Sequence, residues 1–598
     1  MPSIPRGTVI KDAAGANGAA RILHVEFAKK VLRLWPWLAA ITSGLMYRGC
    51  FAPFDQAWLC WIALTPLLAA VWFSGADAKR PWRRDLLLGY VAGLTFFWGV
   101  FSWLITVTTP GWVLIGSYMA IYTALWTWFC GRLRPRLRNV TAKPLTGLDA
   151  VTARLAAKQA HSRGTLVASE MAPGVSPLQG SPWLSSLGNL RLAFFAASAW
   201  VTVELLRAHV FTGWDWNTLG SALHAQWAMI QIVEFTGVPG LSFLVAFTNV
   251  ILVATVRRFV VEMEIKKVRP HFDLTLTMAS LVGVMAFGLR AVQTPSPAIT
   301  VRVAAVQPNI PREHKFNAEY AQTIFDKFTR LSQVALASQP GLLIWPESSM
   351  PAPVLQDDES YRFVTEFSAA AKVDLLLGAI DQDETNAYNA ALLVSDGGRK
   401  IQLYHKVHLV PFGEYVPGRN TLPGIGRIVG DQVPEDFGFG TEHTVFKLTG
   451  GEVRVAPLIC FEDTIGELTR QFVRGGANLL ANVTNDGWFQ YSAGSQQHLA
   501  NAVFRCVETR LPMVRAANTG VTCFVNEFGR VTQVLLDDSG SQFTEGILSG
   551  EVRVPTNYQP TFYVRHGELL TYICTAITIV ALLIFAARLV RRKNARTA

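Results

Sequence analysis

Long apolar runs alternate with short polar stretches over the first half of the chain. Each run approaches the length of about 20 helical residues that crosses a bilayer. Seven such runs precede a long polar segment, and an eighth follows it. The predicted spans are residues 32–46, 58–73, 86–107, 112–129, 192–208, 238–256, 274–289 and 569–589.

Three polar segments lie among these runs. Residues 1–31 are polar and lack a cleavage signature, so they predict a cytoplasmic N-terminus, not a removable signal peptide. Residues 139–189 contain Pro, Gly and Ser with little periodicity, which is typical of a flexible insertion. Residues 213–217 contain two tryptophans that we expect at the lipid headgroups. A transmembrane domain of seven spans is therefore predicted over residues 32–294, with the insertion in a cytoplasmic loop.

The segment between the seventh and eighth spans changes to short apolar strands alternating with polar helical stretches. The predicted strands are residues 299–306, 342–345, 375–380, 453–459 and 479–483, and the predicted helices are 318–337, 361–372, 464–474 and 496–509. Such alternation is typical of an α/β domain, here placed at residues 295–563. Active sites in these domains form beyond the carboxyl ends of the strands.

Composition and charge support a membrane protein. Half of the residues are hydrophobic and only 16% are charged, against about a quarter in soluble domains. The net charge of +11 is not arranged as a basic stripe with stacking aromatics, so nucleic acid is not an expected partner. Basic clusters instead occupy alternate loops, including residues 79–84 and 132–138. The positive-inside rule then places both termini in the cytoplasm and residues 295–563 in the periplasm. Residues 564–598 are predicted to form the eighth span and a basic cytoplasmic tail. The alternative is that the apolar runs are buried helices of a soluble protein, in which this alternation of charge would be a coincidence.

The seven cysteines are scattered along the chain, without CxxC or Cys/His metal spacing. Several lie inside apolar runs, where we expect them only to pack. No metal-binding or nucleotide-binding motif is present, so no cofactor is predicted.

Three motifs place reactive side chains directly after predicted strands. Glu347 follows Ile-Trp-Pro at a strand end, and Lys406 follows a strand with Glu414 eight residues later. Cys460 leaves a buried strand and meets the predicted start of a helix. Free backbone N–H groups and the dipole at a helix start favour a thiolate, and the amide of Phe461 can donate to an oxyanion. The motifs together predict a nucleophile, a base and a cation.

Other interpretations of the same residues stay open at this point. A buried cysteine at a strand end can serve packing alone. His405 and His408 flank the lysine and compete for the role of general base. Glu462 and Asp463 can cap a helix, and Trp488 can be a core residue.

The order Glu347, Lys406, Cys460 resembles the Glu–Lys–Cys triad of the nitrilase (carbon–nitrogen hydrolase) superfamily. The multi-span frame is similar to that of the bacterial apolipoprotein N-acyltransferases, and YHKVHLVPFGEYVP at residues 404–417 is highly specific to that family. The resemblance covers nearly the whole chain except the N-terminus and the insertion. It implies a multi-span α-helical membrane domain joined to a periplasmic α/β nitrilase-like domain, an α-β-β-α sandwich.

The resemblance also implies supporting residues around the triad. These are Glu414, Glu462, Trp488 and, by a less specific match, Asn389. Phe461 stands where some members have tyrosine, so a hydroxyl at that position cannot be required.

The implied activity is transfer of an acyl chain from a phospholipid to the N-terminal amine of a diacylglyceryl-cysteine apolipoprotein. Cys460 would carry a thioester, Glu347 would act as general base, and Lys406 would stabilise the oxyanion. The expected partners are a phospholipid donor, expected to be phosphatidylethanolamine, the apolipoprotein acceptor and the bacterial inner membrane. Two alternatives stay open: a membrane-tethered nitrilase-type amidase, and a non-catalytic membrane scaffold.

Overall fold

The computed structural model describes residues 34–74, 79–134, 182–264, 268–419 and 435–597. An apolar helical part comes first, an α/β domain follows it, and a long apolar helix ends the chain. The predictions for residues 1–31 and for 139–181 lie outside the described residues.

The helical part consists mainly of long helices. The long helices are residues 34–49, Pro81–Val100, Thr109–Arg132, Pro182–His209, Val238–Glu264 and Phe272–Ala291, and the C-terminal helix is Leu569–Thr597. Pro81–Val100 packs closely on Thr109–Arg132 because Gly89 and Gly93 face it. A Cβ at Gly89 or Gly93 would lie 2.8 Å from the Cα of the opposing helix, so these small residues set the helix spacing.

Five helices in the described part of the chain are long and apolar enough to cross a membrane: Thr109–Arg132, Trp183–His209, Val238–Met263, Phe272–Ala291 and Leu569–Arg591. They cover five of the predicted spans. The second predicted span is instead a 3₁₀ turn, Ala57–Trp61, followed by the helix Thr65–Phe73. The third ends at Val100 and continues as the turn Ser102–Thr106. The count of eight spans stays a prediction.

The boundary of the predicted insertion is wrong at its C-terminal side. The helix Pro182–His209 already includes residues 182–189. Proline is favoured in the first turn of a helix, and Trp183, Leu184 and Leu187 supply apolar side chains there. The helix therefore begins before the fifth predicted span.

Two six-stranded mixed sheets form the α/β domain. The strands are β1 (Ala298–Gln307), β2 (Leu342–Trp345), β3 (Asp374–Gln382), β4 (Ala387–Ser395), β5 (Lys400–His405), β6 (Phe446–Lys447), β7 (Arg454–Ile459), β8 (Leu479–Thr484), β9 (Met513–Ala517), β10 (Cys523–Val525), β11 (Val531–Val534) and β12 (Gly546–Pro555). The first sheet has the order β12-β1-β2-β3-β4-β5, and the second has β11-β10-β9-β8-β7-β6. In each sheet three central strands run parallel, β1–β3 and β7–β9.

The two sheets pack face to face, with helices on the outer faces. Ala321–Leu336 and Asp358–Ala371 cover the first sheet, where Phe328 packs on Trp345 with ring centroids 4.8 Å apart. Gly466–Arg474 and Gly494–Thr509 cover the second sheet. This arrangement confirms the predicted α-β-β-α sandwich.

Gln497 joins the α/β domain to the helical part. It is buried on the helix Gly494–Thr509, and its amide oxygen accepts from the indoles of Trp103 and Trp216, both at 3.2 Å. The same oxygen accepts from Asn217 at 2.9 Å. Its amide nitrogen donates to two backbone carbonyls of the helical part, those of Ala52 (3.0 Å) and Val100 (3.2 Å). One side chain thus holds a helix of the second sheet against four segments of the helical part.

Candidate active site

Three strand ends from the two facing sheets carry the predicted triad. Glu347 follows β2, Lys406 follows β5, and Cys460 follows β7. The carboxylate and the ammonium group are buried, and both charges act on the Cys460 thiol. The structure therefore brings the three predicted residues into one electrostatic site.

A glycine on the neighbouring strand shapes the backbone at Glu347. The amide of Gly378 donates to the Pro346 carbonyl at 3.1 Å, and its carbonyl accepts from the Ser349 amide at 2.9 Å. A Cβ at Gly378 would lie 2.5 Å from the Glu347 Cα, so any larger residue would displace the carboxylate. Burial raises the pKa of Glu347, and the nearby Lys406 charge opposes this shift.

Asn389 and Glu414 connect the base to the lysine. The amide nitrogen of Asn389 donates to Glu347 Oε1 at 2.7 Å and to Glu414 Oε1 at 2.6 Å. Lys406 Nζ lies 2.9 Å from Glu414, whose other oxygen accepts from the Val410 amide at 2.7 Å. Both predicted supporting residues thus lie within the network of the triad.

Neighbouring carboxylates stabilise the charge of Lys406, although its side chain is buried. Burial alone would lower the pKa of Lys406, but the negative charges of Glu414 and Glu347 outweigh it and raise the pKa above its usual value. The ammonium group therefore stays charged at neutral pH. A fixed buried cation is suited to stabilise negative charge that develops on a bound substrate.

Cys460 occupies a strained turn. Its φ is +51°, in the left-handed region that costs energy for a residue with a side chain. It opens a 3₁₀ turn, Cys460–Thr464, and its carbonyl accepts from Asn482 Nδ2 at 2.9 Å. The chain thus turns sharply where β7 ends, and Phe461 is the second residue of this turn.

The expectation of a resting thiolate is wrong. The regular helix begins only at Gly466, so a short 3₁₀ turn replaces the helix start that was predicted beside the sulfur. Burial and the Glu347 charge raise the pKa of Cys460 well above its ordinary value, and Lys406 and a hydrogen bond with Thr484 only partly oppose them. The resting group is a thiol, which requires a base to remove its proton during the reaction.

Glu462 holds together the two loops that carry Lys406 and Cys460. Its Oε1 accepts from Tyr404 Oη at 2.8 Å and from the backbone amides of Val407 (2.9 Å) and His408 (3.0 Å). Its Oε2 accepts from the Ile459 amide at 2.9 Å, on the strand before the cysteine. Burial raises the pKa of Glu462 to about 7. The carboxylate thus does more than cap a turn.

Phe461 turns its ring toward the helical part. The ring lies 5.9 Å from Trp216 with an interplanar angle of 2°, and 5.3 Å from Trp214. Trp216 is only 1% exposed, so its expected position at the lipid headgroups is wrong. The chain turns at Gly213, with φ of +74°, and this turn carries the tryptophan beneath the α/β domain.

Trp488 lies in the turn that follows β8. It belongs to the turn Asp486–Phe489, and the Arg312 guanidinium lies 3.4 Å from its ring centroid. Its side chain is partly exposed and packs against the hydrophobic core, so the alternative of a core residue stays open. Trp488 therefore presents an aromatic surface, stacked with a cation, beside the strand ends.

The two histidines beside Lys406 are engaged elsewhere. His405 lies 2.7 Å from Asp381 and stacks on Tyr388. His408 stacks on Phe461, and burial together with the Lys406 charge lowers its pKa to about 4. Neither arrangement favours a histidine base over Glu347.

Several residues of the site carry no sequence signal that we recognised. Lys315 is buried, donates to the carbonyls of Glu347 (2.8 Å) and Ser348 (3.0 Å), and has its pKa lowered by burial to about 8. Behind the cysteine lies a buried ionic cluster of Asp463, Asp486, His498 and Arg515. Periodicity in the sequence does not predict these interactions, because the partner residues are far apart in the chain.

The comparisons with known proteins cover both parts of the chain. The family model for carbon–nitrogen hydrolases matches residues 302–559, and the model for the apolipoprotein N-acyltransferase N-terminal domain matches residues 43–251. An apolipoprotein N-acyltransferase from Geobacter metallireducens is 32% identical over 93% of this chain and 96% of its own length. One from Rhodopseudomonas palustris is 28% identical over 94% of this chain and 97% of its own length.

A solved structure also aligns with part of the chain. A CN-hydrolase superfamily protein from Xanthomonas campestris is 16% identical, with a TM-score of 0.33 over 42% of this chain and 90% of its own. The relative from Geobacter metallireducens is matched over almost its full length at an identity that shows the family. The chain belongs to the apolipoprotein N-acyltransferase family.

Proposed function

We propose that this chain moves one acyl chain from a membrane phospholipid to the N-terminal amine of a diacylglyceryl apolipoprotein through a thioester on Cys460. The observation that carries the proposal is the Asn389 bridge, which holds the Glu347 base in the same network as the Lys406 cation. Membership of the family supports the substrate classes, a lipoprotein acceptor and a membrane lipid donor.

The first half-reaction forms the acyl-enzyme. Glu347 takes the proton of the Cys460 thiol while the sulfur attacks the ester carbonyl of the donor. Lys406 and the amide of Phe461 stabilise the tetrahedral oxyanion. As the C–O bond breaks, Glu347 returns the proton to the leaving alcohol, and a lysophospholipid departs. Proton removal during attack suits a thiol whose pKa is raised by burial.

The second half-reaction passes the acyl group to the acceptor. The N-terminal amine attacks the thioester, and Glu347 takes a proton from the attacking nitrogen. The same cation and amide stabilise the second oxyanion. When the C–S bond breaks, the sulfur regains a proton from Glu347 and an amide is released. Both half-reactions balance without a metal or a redox partner.

The supporting residues have separate tasks in this scheme. Glu414 holds the Lys406 ammonium group, and Asn389 orients Glu347. Glu462 keeps the Lys406 and Cys460 loops in register. Trp488 contributes an aromatic surface in the turn after β8, where it stacks with Arg312.

The finer assignments follow from charge and chain organisation. We place the catalytic domain, residues 295–563, on the periplasmic face of the inner membrane, with residues 32–294 as seven spans and 564–598 as the eighth. The donor is phosphatidylethanolamine in this proposal. A reporter fused after Ala598 is expected in the cytoplasm and one inserted after Asp436 in the periplasm; finding both on one side would reject this topology.

Mass spectrometry of a lipoprotein N-terminus tests the function in cells. Depletion of this chain is expected to leave the diacylglyceryl-cysteine amine free, and re-expression is expected to add one amide-linked acyl chain. A Cys460→Ala chain serves as the inactive control. An amidase would instead release the acyl group to water, and a scaffold would leave the lipoprotein unchanged with either chain.

A further inference from the structure

A buried cation lies beneath the active site, at the end of a long apolar helix. Arg207 is 3% exposed and belongs to the last turn of Pro182–His209. Its Nε and Nη2 atoms have no hydrogen-bond partner among the residues that the structure describes. The nearest carboxylate oxygen, on the partly exposed Asp215, is 3.9 Å away, beyond hydrogen-bond distance. Burying a cation with unused donors is costly unless an anion binds it.

A second unused donor lies at the same helix end. The backbone amide of Trp214 donates to the Arg207 carbonyl at 2.9 Å, which folds the segment back onto the helix. The indole nitrogen of Trp214 is buried and also lacks a partner within the described ranges. Its ring is 5.3 Å from the ring of Phe461, the residue after the nucleophile. The donors therefore lie on the side of Cys460 that faces the helical part.

One carboxylate oxygen of the same helix is engaged elsewhere. Glu204, one turn before Arg207, accepts through Oε1 from the indole of Trp200 and from the Leu219 amide, both at 2.8 Å, whereas its buried Oε2 has no hydrogen-bond partner among the described residues. On the other side, Leu206, Val210 and Phe211 expose large apolar side chains, with Phe211 80% exposed. This apolar surface is suited to lipid chains.

We propose that Arg207 and Trp214 bind the phosphodiester group of the phospholipid donor. A guanidinium offers forked N–H donors that match phosphate oxygens, and the indole N–H adds one more. The diacylglyceryl acceptor has no phosphate, so the site favours the donor and holds its ester near Cys460. The inference rests on the proposed function, because it gives a binding site to the phosphodiester group of the donor, which does not react.

Two donors with the same acyl chains separate phosphate binding from ester chemistry. Purified full-length protein in detergent micelles receives either a phospholipid or the matching diacylglycerol, and mass spectrometry follows acylation of Cys460. Arg207→Gln is expected to lower the acylation rate with the phospholipid at least tenfold more than with diacylglycerol. Arg207→Lys keeps the charge and is expected to recover part of the phospholipid rate. Equal losses with both donors, or no loss with either, would overturn the phosphate site.

Asp215→Asn is the matched control for a structural ion pair. If the guanidinium binds phosphate, removing the competing carboxylate leaves the phospholipid rate unchanged or faster. If Arg207 serves only to pair with Asp215, the asparagine variant would lose activity with both donors as Arg207→Gln does, which contradicts the proposal. Wild-type protein that acylates Cys460 with neither donor would instead reject the proposed function itself.

Discussion

The side-chain amide of Asn389 donates to Glu347 at 2.7 Å, and the same nitrogen reaches Glu414 at 2.6 Å. One amide group thus uses its two hydrogens to hold the base and the carboxylate that binds Lys406. This relationship ties proton transfer to oxyanion stabilisation, because neither acid can shift without disturbing the other.

Replacing Asn389 by leucine tests the bridge. Loss of a hydrogen bond to a charged group costs about 1.5–3 kcal/mol, so we expect acyl-enzyme formation to slow by about 10- to 100-fold. Asn386→Leu, at an exposed position on the preceding loop, is the matched control and is expected to behave like wild type. An Asn389→Leu chain of full activity would remove the bridge from the mechanism.

The pH dependence of acylation identifies the base. Glu347 must be ionised to accept the thiol proton, so the rate rises with pH through the pKa of this carboxyl. Burial raises that pKa, so the acid limb of kcat/KM is expected above the ordinary glutamate value of about 4.3. His408, with a pKa of about 4, is neutral through this range. The measurement is kcat/KM of acyl-enzyme formation against pH, in wild type and in His408→Ala. Loss of the limb in His408→Ala would assign the base to histidine.

The strands differ in how clearly the sequence predicts them. Strands β2, β3, β7 and β8 are predicted because buried parallel strands read as continuous apolar runs. Strand β1 is also predicted, although only its second half is buried. β9 is equally buried but contains Arg515, whose charge is met by Asp463 and Asp486 from other segments. β11 is exposed at every position and shows no apolar pattern.

The residues of the site also differ in how clearly the sequence predicts them. Glu347, Lys406 and Cys460 follow strand ends in motifs that can be read locally. The resting protonation of Cys460 cannot be read this way, because it depends on burial and on a carboxylate more than a hundred positions away. Trp216 and Lys315 are likewise defined by partners that are remote in the chain, Phe461 and the Glu347 carbonyl.

Gln497 offers a test of how the membrane part positions the catalytic part. Gln497→Leu removes five hydrogen bonds between the two. We expect the variant to keep thioester formation from a short water-soluble ester but to lose at least about tenfold with phospholipid, because the membrane part no longer holds the site over the lipid.

The exposed neighbour supplies the control for this change. Gln496→Leu lies on the same helix but faces outward, and it is expected to leave both reactions unchanged. Equal losses of Gln497→Leu with the soluble ester and with phospholipid would indicate general destabilisation, and would contradict a role in positioning.

The acyl-enzyme at Cys460 is the central claim, and intact-protein mass spectrometry tests it most directly. Purified protein given phospholipid alone is expected to gain the mass of one acyl chain. The modification is expected to map to Cys460, to be removed by hydroxylamine or by an acceptor lipopeptide, and to be absent in Cys460→Ala. Cys506 and Cys523 are buried and serve as internal controls that stay unmodified. Acyl transfer to the lipopeptide without any acylation of Cys460 under rapid quench would contradict the account.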